Sequence, residues 1–352
     1  MFFLVALFLS LIITYFVRIF ALKYKILDNP DKTRHFHKQK TPLLGGVAIF
    51  LSFWILIGCF YYYNILKLIN VDFRQLVFLF IGSTFLMIIG YFDDKYKISA
   101  KLRFVFTMGV VLIVLLGGMN FTGITNPLGG TIGLDLWKIN FGWLGSFLVL
   151  ADTLMFFWLL GMIYTTKILD GLDGLATGVA LIGGVVIGFL ALTTKFFQPD
   201  VAFLSFVFAG ACAGFLIYNF YPAKIFLGEG GSMFLGLMLG VLAVIAGGKI
   251  ATTLLVLAVP ILDLLRVIVV RFKNGQSIIK GDREHLHFKL LDVGFGHRQA
   301  VLFLYFVSFI FGFTSLFLSS LYKIIALFAL FVLMFLFMIL LEKKYVVPKK
   351  AK

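Results

Sequence analysis

Asp170-Gly171-Leu172-Asp173-Gly174-Leu175-Ala176 stands between two apolar runs, about 145–167 and 175–194. Each run is long enough to cross a hydrocarbon core of about 30 Å as a helix. A carboxylate at such a place is costly unless it is paired, hydrated or bound to metal, so its default reading is functional. Asp170 and Asp173, three residues apart, would share one helical face or line one tight turn. The plainer alternative is a turn and helix N-cap at a membrane border.

The same texture extends both ways along the chain. Of 352 residues, 61% are hydrophobic and 13% charged, and the mean hydropathy is +1.06. That composition excludes an ordinary soluble protein and implies an all-α polytopic membrane protein. Eleven apolar segments are expected to span, at about 2–22, 43–66, 75–92, 102–120, 145–167, 175–194, 201–219, 232–248, 251–270, 300–319 and 322–341. The first has no basic region before it and no small-residue cleavage site after it, which reads as a span with its N-terminus outside rather than a cleaved signal. An odd count then puts the C-terminus in the cytoplasm. On this topology 25 of the 31 Lys and Arg fall on the inner side, as the positive-inside rule requires. The net charge of +15 is explained that way, with anionic lipid or phosphate substrates contributing and no nucleic acid needed.

Cys59 and Cys212 both lie in apolar runs and imply no disulfide or cysteine metal cluster. The outer segment 121–144 suits a short hairpin at Gly129-Gly130 and Thr131 to Leu134. No repeat or linker divides 1–352, so one membrane domain is expected. Its cytoplasmic loops would be about 23–42, 93–101, 168–174, 220–231 and 271–299.

Every unusual polar cluster falls on the inner side. Asn29 to His37, with Arg34 and His37, runs into Thr41-Pro42-Leu43-Leu44-Gly45-Gly46. Its basic residues suit phosphate, and its glycines suit close backbone approach. Asp93-Asp94 precedes Lys95, Lys97, Lys101 and Arg103; adjacent carboxylates suit a divalent ion or a base. Asp170 and Asp173 follow Lys167. Asn219 to Ser232 holds Phe226, placed to stack on a base or simply to pack. It also holds Glu229 in a glycine loop suited to Mg²⁺, with Gly230, Gly231 and Ser232 amides for phosphate. Asp282 to Lys289 carries Arg283, His285 and His287, a spacing that suits substrate contact better than zinc. Carboxylates beside basic groups at one membrane face fit a diphosphate neutralised through Mg²⁺. The acceptor would come from the membrane and the donor from the cytosol.

In this order, the five clusters resemble the polyprenyl-phosphate N-acetylhexosamine-1-phosphate transferases over nearly the whole chain. The resemblance implies transfer of sugar 1-phosphate from a UDP-N-acetylamino sugar, UDP-GlcNAc by preference, to undecaprenyl or another polyprenyl phosphate. UMP is released, Mg²⁺ (or Mn²⁺) is required, and the cleft lies at the inner face of a bacterial cytoplasmic membrane. It implies that Asp93 meets the lipid phosphate, that Asp94 and Asp170 shape the metal site, and that Glu229 is a metal ligand. Lys101, Arg34 and Arg283 would contact phosphates, with Lys167 and His37 beside them. Asn219 and Phe226 would hold uridine, His285 and His287 the sugar or diphosphate, and Asp173 the nucleotide unless it caps its helix. A homodimer is left open.

The chain departs from the family pattern at four places. Lys167 and Tyr164 stand where Asn is common, Glu229 where Asp is usual, and Phe288 where a third histidine often stands. The last argues against UDP-MurNAc-pentapeptide as donor, which remains the alternative. A CDP-alcohol phosphotransferase would need Ala-Arg and further Asp after Asp173-Gly174, where Leu175-Ala176-Thr177-Gly178 stands. A transporter would want ionisable residues near the midplane, where the candidates are few: Asp152, and Asp263 with Arg266 nearer the inner end.

Overall fold

A computed structural model describes residues 1–28, 40–65, 68–121, 123–126, 130–135, 137–140, 146–193, 197–247, 250–273 and 285–345. Helices dominate it: α1 Phe2–Lys23, α2 Gly45–Tyr62, α3 Phe73–Tyr96, α4 Ala100–Leu116, α5 Val149–Leu169, α6 Leu175–Leu192 and α7 Pro199–Asn219. Then come α8 Gly228–Ile245, α9 Ile250–Val256, α10 Ala258–Lys273, α11 Leu286–Asp292, α12 His297–Thr314 and α13 Ser320–Tyr345. Among the described residues nine helices are long and apolar enough to cross a membrane, or ten spans if α9 and α10 count as one. The expected segment at 102–120 is α4, whose 17 residues measure about 26 Å, short of a full hydrocarbon core.

The expected span at 251–270 is broken. α9 and α10 meet at 81° across Leu257. Pro260 sits in the first turn of α10, where its missing N–H cannot reach back to the Val256 carbonyl. A hydropathy window sees only a continuous apolar run there.

α8 is the axis of the bundle. Its span is 89% buried, against 17% for α1 and 11% for α13, which leaves those two facing lipid. Small residues let the backbones approach, as membrane helices do in place of a hydrophobic driving force. A Cβ on Gly46 of α2 would lie 2.1 Å from the Gly231 Cα, and one on Gly236 would lie 2.3 Å from the Thr166 hydroxyl of α5. At the far end of α5, Asp152 accepts the Leu148 N–H (2.7 Å) and the Asn120 amide (3.1 Å), so its carboxylate ties down a loop.

The strands are short antiparallel pairs: β1 Leu27–Asp28 with β2 Thr41–Pro42, β3 Gly123–Thr125 with β4 Thr131–Gly133, and β5 Lys138–Asn140 with β6 Ser146–Leu148. The β3–β4 pair, with Ile124 opposite Ile132, is the expected hairpin. The segment expected to begin spanning at 145 starts as β6 and turns helical at Val149.

Candidate active site

α3 ends in the first pair of carboxylates. Lys97, at φ 52°, closes the helix with its N–H on the Asp93 carbonyl (2.8 Å). Asp93 points inward and is 3% exposed. Arg103 of α4 donates to it, and its guanidinium also lies 4.0 Å from Glu229. Asp94 turns the other way, toward the start of α8. Both its oxygens accept the Glu229 N–H at 3.2 Å, which seats the carboxyl at the N-terminus of α8. Gly228 has φ +78° and leaves no room for a Cβ, which would lie 2.8 Å from Asp94 Oδ2.

α5 brings the second pair. Lys167 in its last turn donates to Glu229 and stands 4.0 Å from Asp93 Oδ2. Two carboxylates and two cations thus alternate: Arg103, Asp93, Lys167, Glu229. Asp170 terminates α5, and a turn, not a helix, links it to Asp173 and to Gly174 at φ +81°. Burial first, then the charges of Glu229, Asp94 and Asp173, push the Asp170 carboxyl well above its usual range, with Lys167 pulling it back. The side chain is still partly exposed, so it is enclosed without being sealed off.

Asp173 is used differently. Its Oδ2 accepts the Ala223 N–H (3.0 Å) and its N–H donates to His297 Nε2 (3.0 Å). The His297 ring stacks on Tyr221 at 4.2 Å. Asp173 therefore joins the turn, the α7–α8 loop and the head of α12, and it does not cap α6. Asn219 is 2% exposed; its carbonyl accepts the Thr177 hydroxyl (3.0 Å) and its amide donates to the Ile225 carbonyl (3.1 Å). It shapes the loop that carries Phe226. That loop is pinned from the other side, Phe226 N–H to Pro42 O at 2.8 Å and Gly45 N–H to Phe226 O at 2.9 Å. The Thr41 to Gly46 stretch thus braces the site through its backbone.

The histidine segment closes one flank. His285 Nδ1 meets Asp263 Oδ2 at 2.9 Å, the Leu286 N–H donates to the same oxygen at 3.0 Å, and Arg266 lies 3.3 Å from Oδ1. His287 is buried, packs against Gly171, and lines a cavity of about 20 Å³ with Asp263 and Ser308. Its Nε2 has no hydrogen-bond partner among the described residues.

Asp93, Asp94, Lys167, Asp170, Asp173, Asn219, Phe226, Glu229, His285 and His287 are thus gathered around one end of the bundle. Arg34, His37 and Arg283 lie outside the described residues. Lys101 is exposed and makes no ion pair with a described residue; Arg103, two positions on and about 200° around the helix, takes the inward place. Three residues that the sequence pattern did not assign to the site contribute: Arg103, Asp263 and His297. Arg103 stood in the basic run after Asp94, but only the start of α4 at Ala100 sets which basic residue turns inward. Asp263 showed as an ionisable residue in an apolar segment. His297 carried no signal.

Residues 76–247 match glycosyl transferase family 4. The chain is 32% identical to a probable undecaprenyl-phosphate N-acetylglucosaminyl 1-phosphate transferase of Bacillus subtilis, over 99% of this chain and 93% of that protein. It is also 32% identical to the decaprenyl-phosphate N-acetylglucosaminephosphotransferase of Mycolicibacterium smegmatis, over 84% of this chain and 76% of that one. A phospho-N-acetylmuramoyl-pentapeptide-transferase of Halalkalibacterium halodurans is 29% identical over 90% and 95%. With those ordered motifs folded to one end of a helical bundle, and a 32% identical relative matched over 93% of its length, this chain belongs to glycosyl transferase family 4, the polyprenyl-phosphate N-acetylhexosamine-1-phosphate transferases.

Proposed function

We propose that the protein transfers GlcNAc 1-phosphate from UDP-GlcNAc to a polyprenyl phosphate, at the cytoplasmic face of the plasma membrane and with Mg²⁺. A lipid phosphate oxygen attacks the β-phosphorus of the donor, the bond to the bridging oxygen breaks, and UMP leaves. The observation that carries this reading is the meeting of Asp93, Asp94, Asp170 and Glu229 with Lys167 and Arg103 at one end of the bundle. The Lys and Arg distribution supports the cytoplasmic orientation.

The donor set suits Mg²⁺ in kind, since it is all carboxylate oxygen; burial first and then carboxylate repulsion raise Asp170, and a cation relieves the repulsion. Among the described residues no three acidic or histidine side chains converge as a ready ligand cage. Mg²⁺ keeps several of its waters, so the protein need supply only part of its shell, with water and substrate phosphate completing it. Asp94 and Asp170 would hold it, with Glu229 once its lysine partner yields. The ion would neutralise charge on the diphosphate. Phosphoryl transfer otherwise asks for alignment and charge compensation, which Arg103 and Lys167 supply. Asp93, buried against Arg103, is better placed to hold that guanidinium than to take a proton. The acceptor needs no base, since a phosphate monoester with a second pKa of about 6 is largely ionised at neutral pH.

The test is purified protein with UDP-[¹⁴C]GlcNAc, undecaprenyl phosphate and Mg²⁺, scored for lipid-linked label and UMP. Label only from UDP-MurNAc-pentapeptide or UDP-GalNAc would overturn the donor, and no UMP from any donor would overturn the transferase. Asp94→Asn and Glu229→Gln should each lose activity by about two orders of magnitude or more while still folding.

A further inference from the structure

Lys167 and Glu229 are two of the four positions where the sequence departs from its family's pattern, and the fold bonds them to each other. Their pair is one edge of the charged ring, and the edges are not equivalent. The difference lies in the carboxylates: Asp93 is 3% exposed and Glu229 34%, while their cations Arg103 (19%) and Lys167 (15%) are alike. The Asp93–Arg103 edge is built in. The Lys167–Glu229 edge faces the opening, where one partner can be exchanged for another. Asp94 and Asp170 stand beside it, and neither makes an ion pair with a lysine or arginine among the described residues.

We propose that Lys167 is a tethered counter-ion that competes with a divalent cation for Glu229. The inference rests on the metal-dependent reading of the site and goes beyond it. A cation binding at Glu229 must break the lysine pair, so the ammonium opposes metal binding both by occupying the carboxylate and by like charge. Removing it leaves Glu229 with only the more distant Arg103 guanidinium, 4.0 Å away, beside Asp93, Asp94 and Asp170. An uncompensated carboxylate in a partly enclosed site is costly to the protein and correspondingly attractive to a cation. The lysine displaced by the ion becomes a free ammonium at the opening, available to substrate phosphate.

The experiment is a Mn²⁺ titration followed by electron paramagnetic resonance, on the full chain in detergent with neither nucleotide nor lipid. Wild type, Lys167→Met, Lys167→Gln and Lys167→Arg are compared, each checked for a monodisperse elution peak. The Met and Gln variants should bind Mn²⁺ about tenfold tighter or better. Arg, which keeps the charge, should stay within about threefold of wild type. Two neutral replacements guard against either one failing to fold. Unchanged or weaker binding in both overturns the proposal. UMP release from UDP-GlcNAc, run on the same preparations, separates the two readings. If wild type binds Mn²⁺ and releases UMP while the neutral variants bind no tighter, only the competition falls. If UMP is released and no variant binds Mn²⁺, the metal site falls with it and the transferase stands.

Discussion

Gly90 of α3 and Gly230 of α8 meet backbone to backbone: a Cβ on Gly90 would lie 2.1 Å from the Gly230 Cα. Asp93 and Asp94 follow Gly90 by about one turn, and Glu229 precedes Gly230 directly. This contact therefore sets the separation of three of the four carboxylates. Gly90→Ala would force the two helices apart, since the methyl meets backbone and no flexible side chain can yield. The expected outcome is a loss of UMP release of about 100-fold or more together with a lower melting midpoint. Gly109→Ala on α4, where an added Cβ meets nothing within 4 Å, should stay within about twofold of wild type. Equal behaviour of the two variants would show that the close approach does not position the carboxylates.

Arg103 and Lys101 make a second contrast. Arg103→Met leaves Asp93, 3% exposed, without its main partner; removing one member of a buried pair costs about 3–5 kcal/mol. That variant should lose most of its thermal stability margin and nearly all activity. Lys101→Met removes a charge that is already exposed and should cost less than about fivefold in kcat/KM. Steady-state kinetics and thermal melts on the pair check this directly. A larger defect at Lys101 than at Arg103 would mean that the lysine reaches substrate in a state other than the one described.

The Arg103 contrast shows where a sequence pattern stops. The membrane class was legible because apolar runs of spanning length have hardly any place in a water-soluble fold. The chemistry was legible because carboxylates there are costly without a purpose. Register was not legible: the sequence reading put Lys101 at phosphate and left Arg103 in the basic run, and only the first turn of α4 sets which of them turns inward. Nor was the work done by Asp173 and Asn219. Their partners, Ala223, His297, Thr177 and Ile225, depend on which loops fold together, and a polar residue in a motif looks the same whether it meets substrate or braces a loop. The break at Leu257 had a local signal in Pro260, masked by the apolar residues around it.

That break has a consequence for the histidine flank. It starts α10 close enough to α11 for Asp263 to take both the His285 ring and the Leu286 N–H. Asp263→Ala should release the start of α11 and lower kcat/KM by about 10- to 100-fold. Because it acts through His285, it should add little to a His285→Ala background. The measurement is a double-mutant cycle on kcat/KM. A coupling energy near zero, with the two effects simply adding, would mean that Asp263 serves stability alone.

His287 gives a prediction in pH. Its burial, helped by the neighbouring His285 and His297 and opposed by Asp263, lowers its pKa from 6.5 to about 3. In the unfolded chain it binds a proton below about pH 6.5, and in the folded protein only near pH 3. Between those values the unfolded state holds more protons, so stability falls as pH falls through the window and is unaffected by this group above it. Carboxylates add their own slopes below about pH 5, so the informative range is about 6.5 to 5. Melting midpoints of the detergent-solubilised protein should decline across it, and His287→Gln, which cannot be protonated, should flatten the decline. An identical slope in the variant would show that His287 reaches solvent or finds a partner for its proton. In that case the contact with Gly171 would not be holding it neutral in the fold.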